Sequence, residues 1–453
     1  MNDNKDFLAK EPVGKLLLKL ALPTVTAQII NMLYNIIDRI YIGHIPENGA
    51  LALTGVGVCM PLIMIVSAFA ALVGNGGAPR ASIFMGQGDK QAAEKTLGNC
   101  FTVQLIISAV LTAVLLMWNR EFLLAFGASE NTVEYGVAYM NIYALGTIFV
   151  QLTLGMNAFI TAQGFAKTGM LSVMIGAAAN IILDPILIFG LAFFPKMGIS
   201  GAAIATGVGQ LISLIVYLAF YFKGPVPVKL EARYKIPGGN TMKKLYGIGI
   251  PAILNLALPS VMIFVLNGLL AQYSRSYVVI LGIYYKLQTF LYFPASGIIQ
   301  GMRPVIGYNF GAGERERVGK IYKITLAMAG VIMAAGTVLC LTISNTLIGA
   351  FTDNAETIAA GGAALRIISA GFIVSTVSVT ASGALEGIGM GIQSLVISLL
   401  RYIVVILPSA FILCHLFGGG AVWNAFWITE FAAAVVAEIV YRGTIKRTMP
   451  KPR

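Results

Sequence analysis

Nineteen Asp and Glu occur among 453 residues, and most lie in polar stretches. Four do not: Asp38, Asp184 and Glu430 are embedded in apolar runs, and Glu386 sits at the edge of one. A carboxylate inside hydrocarbon is costly unless it is protonated, paired or hydrated, so the chemistry it serves is proton exchange or capture of a small cation. Asp38 closes a series, Thr24, Gln28, Asn31, Asn35 and Asp38, with steps of four, three, four and three residues that place all five on one helix face. Asp184 lies in the run Ala179 to Gly190, with Asn180 four residues earlier on the same face and Pro185 directly after it. Proline frees the carbonyl of Ile181 and predicts a kink there. If Asp38 and Asp184 share one pocket, desolvation and mutual repulsion favour holding a proton between them. The same oxygens, joined by the Asn180 amide and a hydroxyl such as Thr206, equally suit Na⁺, with Asp38, Asn180 and Asp184 as the ligands. Tyr34, one turn before Asp38, and Tyr139, which shares a face with Tyr143, are expected to line the pocket, as are Gln28, Asn31, Asn35 and, less specifically, Asn157 and Gln163. Lys286, Arg401, Glu386 and Glu430 in the second half are expected to pair or to snorkel.

The elements that must hold these residues are membrane helices. The chain is 57% hydrophobic and 11% charged, with mean hydropathy +0.82, far from the balance of a soluble domain. Apolar runs near the length of a bilayer crossing are predicted at 16–42, 51–75, 96–118, 136–158, 171–193, 200–222, 245–271, 279–301, 324–344, 362–383, 392–417 and 421–441. The first is too long for the apolar part of a signal peptide. Of the 31 Lys and Arg, only Arg120, Lys196 and Arg275 fall in outer loops when both termini are placed in the cytoplasm; Arg39, Lys286, Arg366 and Arg401 lie within spans and the rest are cytoplasmic. That bias fixes the expected orientation. It also explains the net charge of +12 without nucleic acid. Cys59, Cys100, Cys340 and Cys414 stand singly, so neither a disulfide framework nor a zinc site is expected. No HExxH, phosphate-binding loop or nucleophile with its base appears, and the chain is not expected to be an enzyme or to carry a cofactor.

The basic stretch Lys223 to Lys244 divides the chain nearly in half. A shift of about 225 residues brings the halves into register: MGQGDKQAAEK at 85–95 falls on FGAGERERVGK at 310–320, Pro79 on Pro304 and Gly146 on Gly371. Gly86, Gly88 and Asp89, and again Gly311, Gly313 and Glu314, are expected to form a tight turn leading into a short helix. Two parallel six-helix bundles follow, an all-α polytopic membrane fold with an N-terminal lobe at 1–222, a cytoplasmic linker at 223–244 and a C-terminal lobe with a cytoplasmic tail at 245–453. The register sets the stripe of the first helix against Ala252, Leu256, Pro259, Ile263 and Leu266, and Asp184 against Leu407. The ion site is therefore expected in the first half only.

The ending D38-R-I-Y-I-G43, the paired turns G86-Q-G-D and G311-A-G-E, and N180-I-I-L-D-P-I-L-I-F-G190 resemble the multidrug and toxic compound extrusion (MATE) family over nearly the whole chain, in particular its bacterial MepA- and DinF-like subgroup. The resemblance implies an H⁺- or Na⁺-coupled antiporter exporting small organic drugs from a bacterial cytoplasmic membrane by alternating access, acting as a monomer. It implies that Asp38 and Asp184 exchange the ion, with Tyr34, Tyr139, Asn157, Asn180 and Thr206 around them. Arg366 stands in the tenth helix where other branches have an acid. The alternative is a flippase for a lipid-linked or other amphiphilic substrate, which calls for a strongly cationic cavity.

Overall fold

The computed structural model describes residues 7–191, 193–234, 236 and 238–449. The extreme termini, whose cytoplasmic placement is expected from charge, lie outside them. Among the described residues the regular structure is helical, as it must be where lipid offers backbone groups no partner. The long helices are α1 (Val13–Gly43), α2 (Gly49–Gly86), α3 (Lys90–Ala125), α4 (Glu130–Ala162), α5 (Ala166–Phe189), α6 (Ile199–Lys223), α7 (Gly239–Ala271), α8 (Arg275–Gly311) and α9 (Arg315–Thr342). They continue with α10 (Ala355–Ser369 and Phe372–Gly387, bent by 54°), α11 (Gly391–Phe417) and α12 (Trp423–Thr448). Eleven are long and apolar enough to cross a bilayer, and the bent pair completes twelve.

Several helices outrun the apolar windows that signal them. α2 has 38 residues and α8 has 37, roughly 55 Å against the ~30 Å hydrocarbon core. The helix continues past its apolar segment until a glycine turns the chain. Gly88 (φ +76°) and Gly313 (φ +78°) do so at equivalent places, in a conformation where a Cβ would be strained. Asp89 then caps α3 by accepting the Ala92 N–H at 2.9 Å, whereas Glu314 precedes α9 without a side-chain cap bond. The turns open long helices rather than the short ones expected.

The chain forms two compact units. The N-terminal unit, Thr26–Gly249, has its core around Val66, Tyr139, Met140, Tyr143, Ile188 and Ala202. The C-terminal unit joins Ile250–Arg453 to the chain up to Val25, around Leu266, Tyr284, Met333, Phe372 and Trp423. In that unit the early part of α1 lies against α8: a Cβ on Gly297 would meet the Val25 side chain at 2.1 Å, and one on Gly301 the Ala21 nitrogen at 2.8 Å. α1 and α7 therefore each pass from one unit into the other part-way along their length.

Two local features position side chains. In the N-terminal unit, a Cβ on Gly176 of α5 would lie 2.7 Å from the Gly209 carbonyl of α6, and one on Gly209 would lie 2.8 Å from that of Gly176. The two backbones touch because neither residue has a side chain. In the C-terminal unit, Leu400–Val404 of α11 form a π-turn in which Val405 N–H donates to the Leu400 carbonyl at 3.0 Å. Pro408, four residues after Val404, cannot supply the α-helical donor that Val404 would otherwise have.

Candidate functional site

The N-terminal unit brings the first-half carboxylates together. α5 runs through Pro185 to Phe189 and ends on Gly190 in the left-handed region. Asp184 is fully buried and Asp38 is 7% exposed, and their carboxyl groups lie within hydrogen-bonding reach of one another. Two carboxylates hold that contact only with a proton or a cation between them, because like charges at this range repel strongly in a medium of low dielectric constant. Asn180, one turn before Asp184, donates to Asp184 Oδ1 at 3.4 Å and to Thr206 Oγ1 at 3.3 Å. With the amide turned over, its nitrogen meets Asp184 Oδ2 at 3.2 Å and its oxygen accepts the Thr206 N–H at 3.2 Å. Either orientation ties Asp184 to α6 through Asn180, at the point where the glycine contact draws the two helices together. Asp38 Oδ1 is buried and accepts no hydrogen bond from an N–H or hydroxyl of the protein.

Against Asn180 and Thr206 lies a cavity of about 50 Å³, lined also by Asn31, Tyr34, Asn157 and Gln210, among others. The Tyr34 hydroxyl is within hydrogen-bonding reach of Gln210 and Asn35, and that of Tyr139 is within reach of Thr206. Tyr139 stacks on Tyr143 with centroids 6.2 Å apart and planes 16° from parallel. The structure thus gathers Asn31, Tyr34, Asp38, Tyr139, Asn157, Asn180, Asp184 and Thr206 in one region. Asn35 is exposed and turns back to donate to the Asn31 carbonyl at 2.6 Å, and neither it nor half-buried Gln28 lines this cavity. Thr24, bonded to the Leu20 carbonyl at 2.8 Å, belongs to the other unit. Gln163 serves the fold: its Oε1 accepts Val228 N–H at 2.9 Å and so fastens the linker. Gln210 and Ser213 also line the cavity, and with Thr206 they follow steps of four and three along α6, the same spacing that marks α1.

The donor set of Asp38, Asp184, Asn180 and Thr206 consists of hard oxygens, which fits H⁺ or a small monovalent cation such as Na⁺. Among the described residues there is no group of three or more His, Cys, Asp or Glu placed to hold a metal ion.

The C-terminal unit holds ion pairs instead. Arg401 Nε and Nη2 donate to Glu430 Oε1 at 2.8 and 2.6 Å. Glu386 pairs with Arg303 and accepts from Asn255 at 2.9 Å and Ser394 at 2.8 Å. Pairing of Arg401, Glu386 and Glu430 is as expected; Lys286 is exposed, with its ammonium 5.8 Å from the Phe351 ring centroid. The four cysteines are free and buried.

The MatE family profile matches residues 23–186 and again 251–412, most of the chain and both halves of the repeat. The chain belongs to the MatE family of membrane transporters. The two matched segments correspond to the halves that the sequence repeat defines, so this MatE protein carries its family signature twice. It is 24% identical to the multidrug export protein MepA of Staphylococcus aureus over 96% of this chain and 95% of that one. Against the MepA of Staphylococcus haemolyticus the identity is 24% over 100% and 98%. A solved MATE structure in a bent conformation superimposes with a TM-score of 0.91 at 23% identity, covering 99% of this chain and 98% of that one, which shows a shared fold.

Proposed function

We propose that this MatE transporter exports organic, often cationic amphipathic compounds in exchange for H⁺ or Na⁺ bound at Asp38 and Asp184. The observation that carries the reading is the contact between these two buried carboxyl groups inside one unit. An ion between them cancels their repulsion; without it one or both must separate or hydrate. Ion binding is thereby coupled to the local arrangement of α1 and α5, and an ion drives transport only through such a difference in affinity between two states. Asn180 and Thr206 hold Asp184, while Tyr34, Tyr139, Asn31 and Asn157 surround the cluster. The family match and the full-length similarity to multidrug export proteins support drug export as the output. A bacterial cytoplasmic membrane, with both termini inside and a monomer as the working unit, is part of the same reading.

A strongly cationic cavity, the mark of the flippase alternative, is disfavoured because Arg401, the guanidinium of the large C-terminal cavity, is neutralised by Glu430. The test is dye efflux from proteoliposomes with H⁺ and Na⁺ gradients imposed separately, on the native chain and on Asp38→Asn and Asp184→Asn. One gradient is expected to drive efflux, and each variant to lose about tenfold or more of it. Full gradient-driven efflux in both variants overturns the assignment.

A further inference from the structure

A cavity of the C-terminal unit, about 390 Å³, is lined by Tyr284, Tyr285, Tyr292, Tyr402 and Phe426, with the Arg401–Glu430 pair on its wall. Its size lies in the range of small-molecule sites. The pair is asymmetric. Arg401 engages Oε1 of Glu430 twice, while Oε2 is buried without a hydrogen-bond partner. The Ser378 hydroxyl, close to this carboxylate, donates to the Ser375 carbonyl at 3.0 Å instead. A buried carboxylate oxygen left unsatisfied is costly, and it awaits a donor or a positive charge.

Apart from Glu430, the arginine has few holds on the wall. It sits on the π-turn of α11, where the regular ladder is already broken, and its remaining side-chain bond is a long one, Nη1 to the Tyr402 hydroxyl at 3.4 Å. Aromatic faces stabilise any cation beside them, and the Arg401 guanidinium already lies 5.3 Å from the Tyr402 ring centroid. Those faces serve a ligand cation in the same way.

We infer that this cavity is a binding site for a flat aromatic monocation, in which the ligand's positive charge takes Glu430 as its counter-ion in competition with Arg401. The guanidinium is a built-in substitute for the ligand: it keeps the carboxylate neutralised when the cavity is empty and yields it when a cation enters. This inference rests on the reading of the chain as an exporter of organic compounds and places one of their sites. It uses none of the residues assigned to the ion.

Competition gives a signature that a purely structural ion pair does not. Removing the carboxylate must weaken binding, and removing the arginine must strengthen it. The experiment is equilibrium binding of ethidium to the purified full chain in nanodiscs, without any ion gradient, read by fluorescence anisotropy. Glu430→Gln is expected to bind about tenfold more weakly and Arg401→Gln about threefold more tightly. Tyr285→Leu should lose about fivefold and Tyr285→Phe little, because the ring face is what acts. Each single change of the pair strands a buried charge, so the neutral double variant Arg401→Gln/Glu430→Gln guards against misfolding; it should match Glu430→Gln. Weaker binding in Arg401→Gln, or unchanged binding in both Glu430→Gln and the double variant, overturns the site. Because no gradient is applied, that outcome leaves the ion assignment at Asp38 and Asp184 standing, and failure of the efflux test leaves this one standing.

Discussion

Asn180 links Asp184 to α6, since in either amide orientation it meets both Asp184 and Thr206. Asn180→Ala should cut gradient-driven dye efflux by about tenfold. It should cost only about 0.6 kcal/mol of stability, the average for a polar contact between membrane helices, so a thermal unfolding trace in detergent should move little while transport falls. A large loss of stability that accounts for the lost transport would show Asn180 to be a structural clamp. At this scale the sequence was most informative. Buried carboxylates in apolar runs are rare, and helical spacing alone aligned Asp38 with Asn31 and Asp184 with Asn180. What it did not show is which way each side chain turns. Asn35 falls on the polar face yet folds back onto its own helix, and spacing cannot distinguish an amide that reaches a pocket from one that bonds to its own backbone.

The contact that sets Asn180 against Thr206 belongs to two helices. Gly176 and Gly209 let α5 and α6 touch, and a branched side chain at Gly209 has no room: even its Cβ would lie 2.8 Å from the Gly176 carbonyl and 3.3 Å from the Asn180 Cβ. Gly209→Val should therefore force the helices apart, lower thermal stability by about 1–3 kcal/mol and abolish coupled efflux together. The repeated turns respond differently from each other despite their matched sequences. Asp89→Ala removes a cap bond and should cost about 1 kcal/mol in a denaturation series, whereas Glu314→Ala should cost clearly less, since Glu314 makes no such bond. Twelve apolar windows were enough to locate the helices but not their ends or breaks. The bend in α10 follows Ser369 without a proline to announce it; Gly371 there allows the Trp427 and Glu430 region of α12 close, where a Cβ would lie 3.1 Å from the Trp427 Cα. The π-turn of α11 had one weak herald, Pro408, whose effect depends on what the freed carbonyl finds nearby.

Across the whole chain, the internal repeat and the charge bias of the loops set out two halves and an orientation, and a reporter fused into the linker at Lys229 should be active only in the cytoplasm. The repeat could not show that the halves exchange a segment. The chain up to Val25 belongs with Ile250–Arg453, so its packing partners on α8, Gly297 and Gly301, lie late in the sequence. This imposes an order on biosynthesis. Domains made on the ribosome tend to fold as units from the N-terminus, yet here a segment made before Thr26–Gly249 completes the unit made after it. The N-terminal unit can close over its own core while residues 13–25 wait, without their α8 neighbours, for more than half of the chain to be inserted. Because the four native thiols are buried, a cysteine placed at Ala21 would report that wait. It should be alkylated readily in a chain arrested at Gly249 and become protected once α8 has been made, so that the early part of α1 records the insertion of a helix from the other half of the chain.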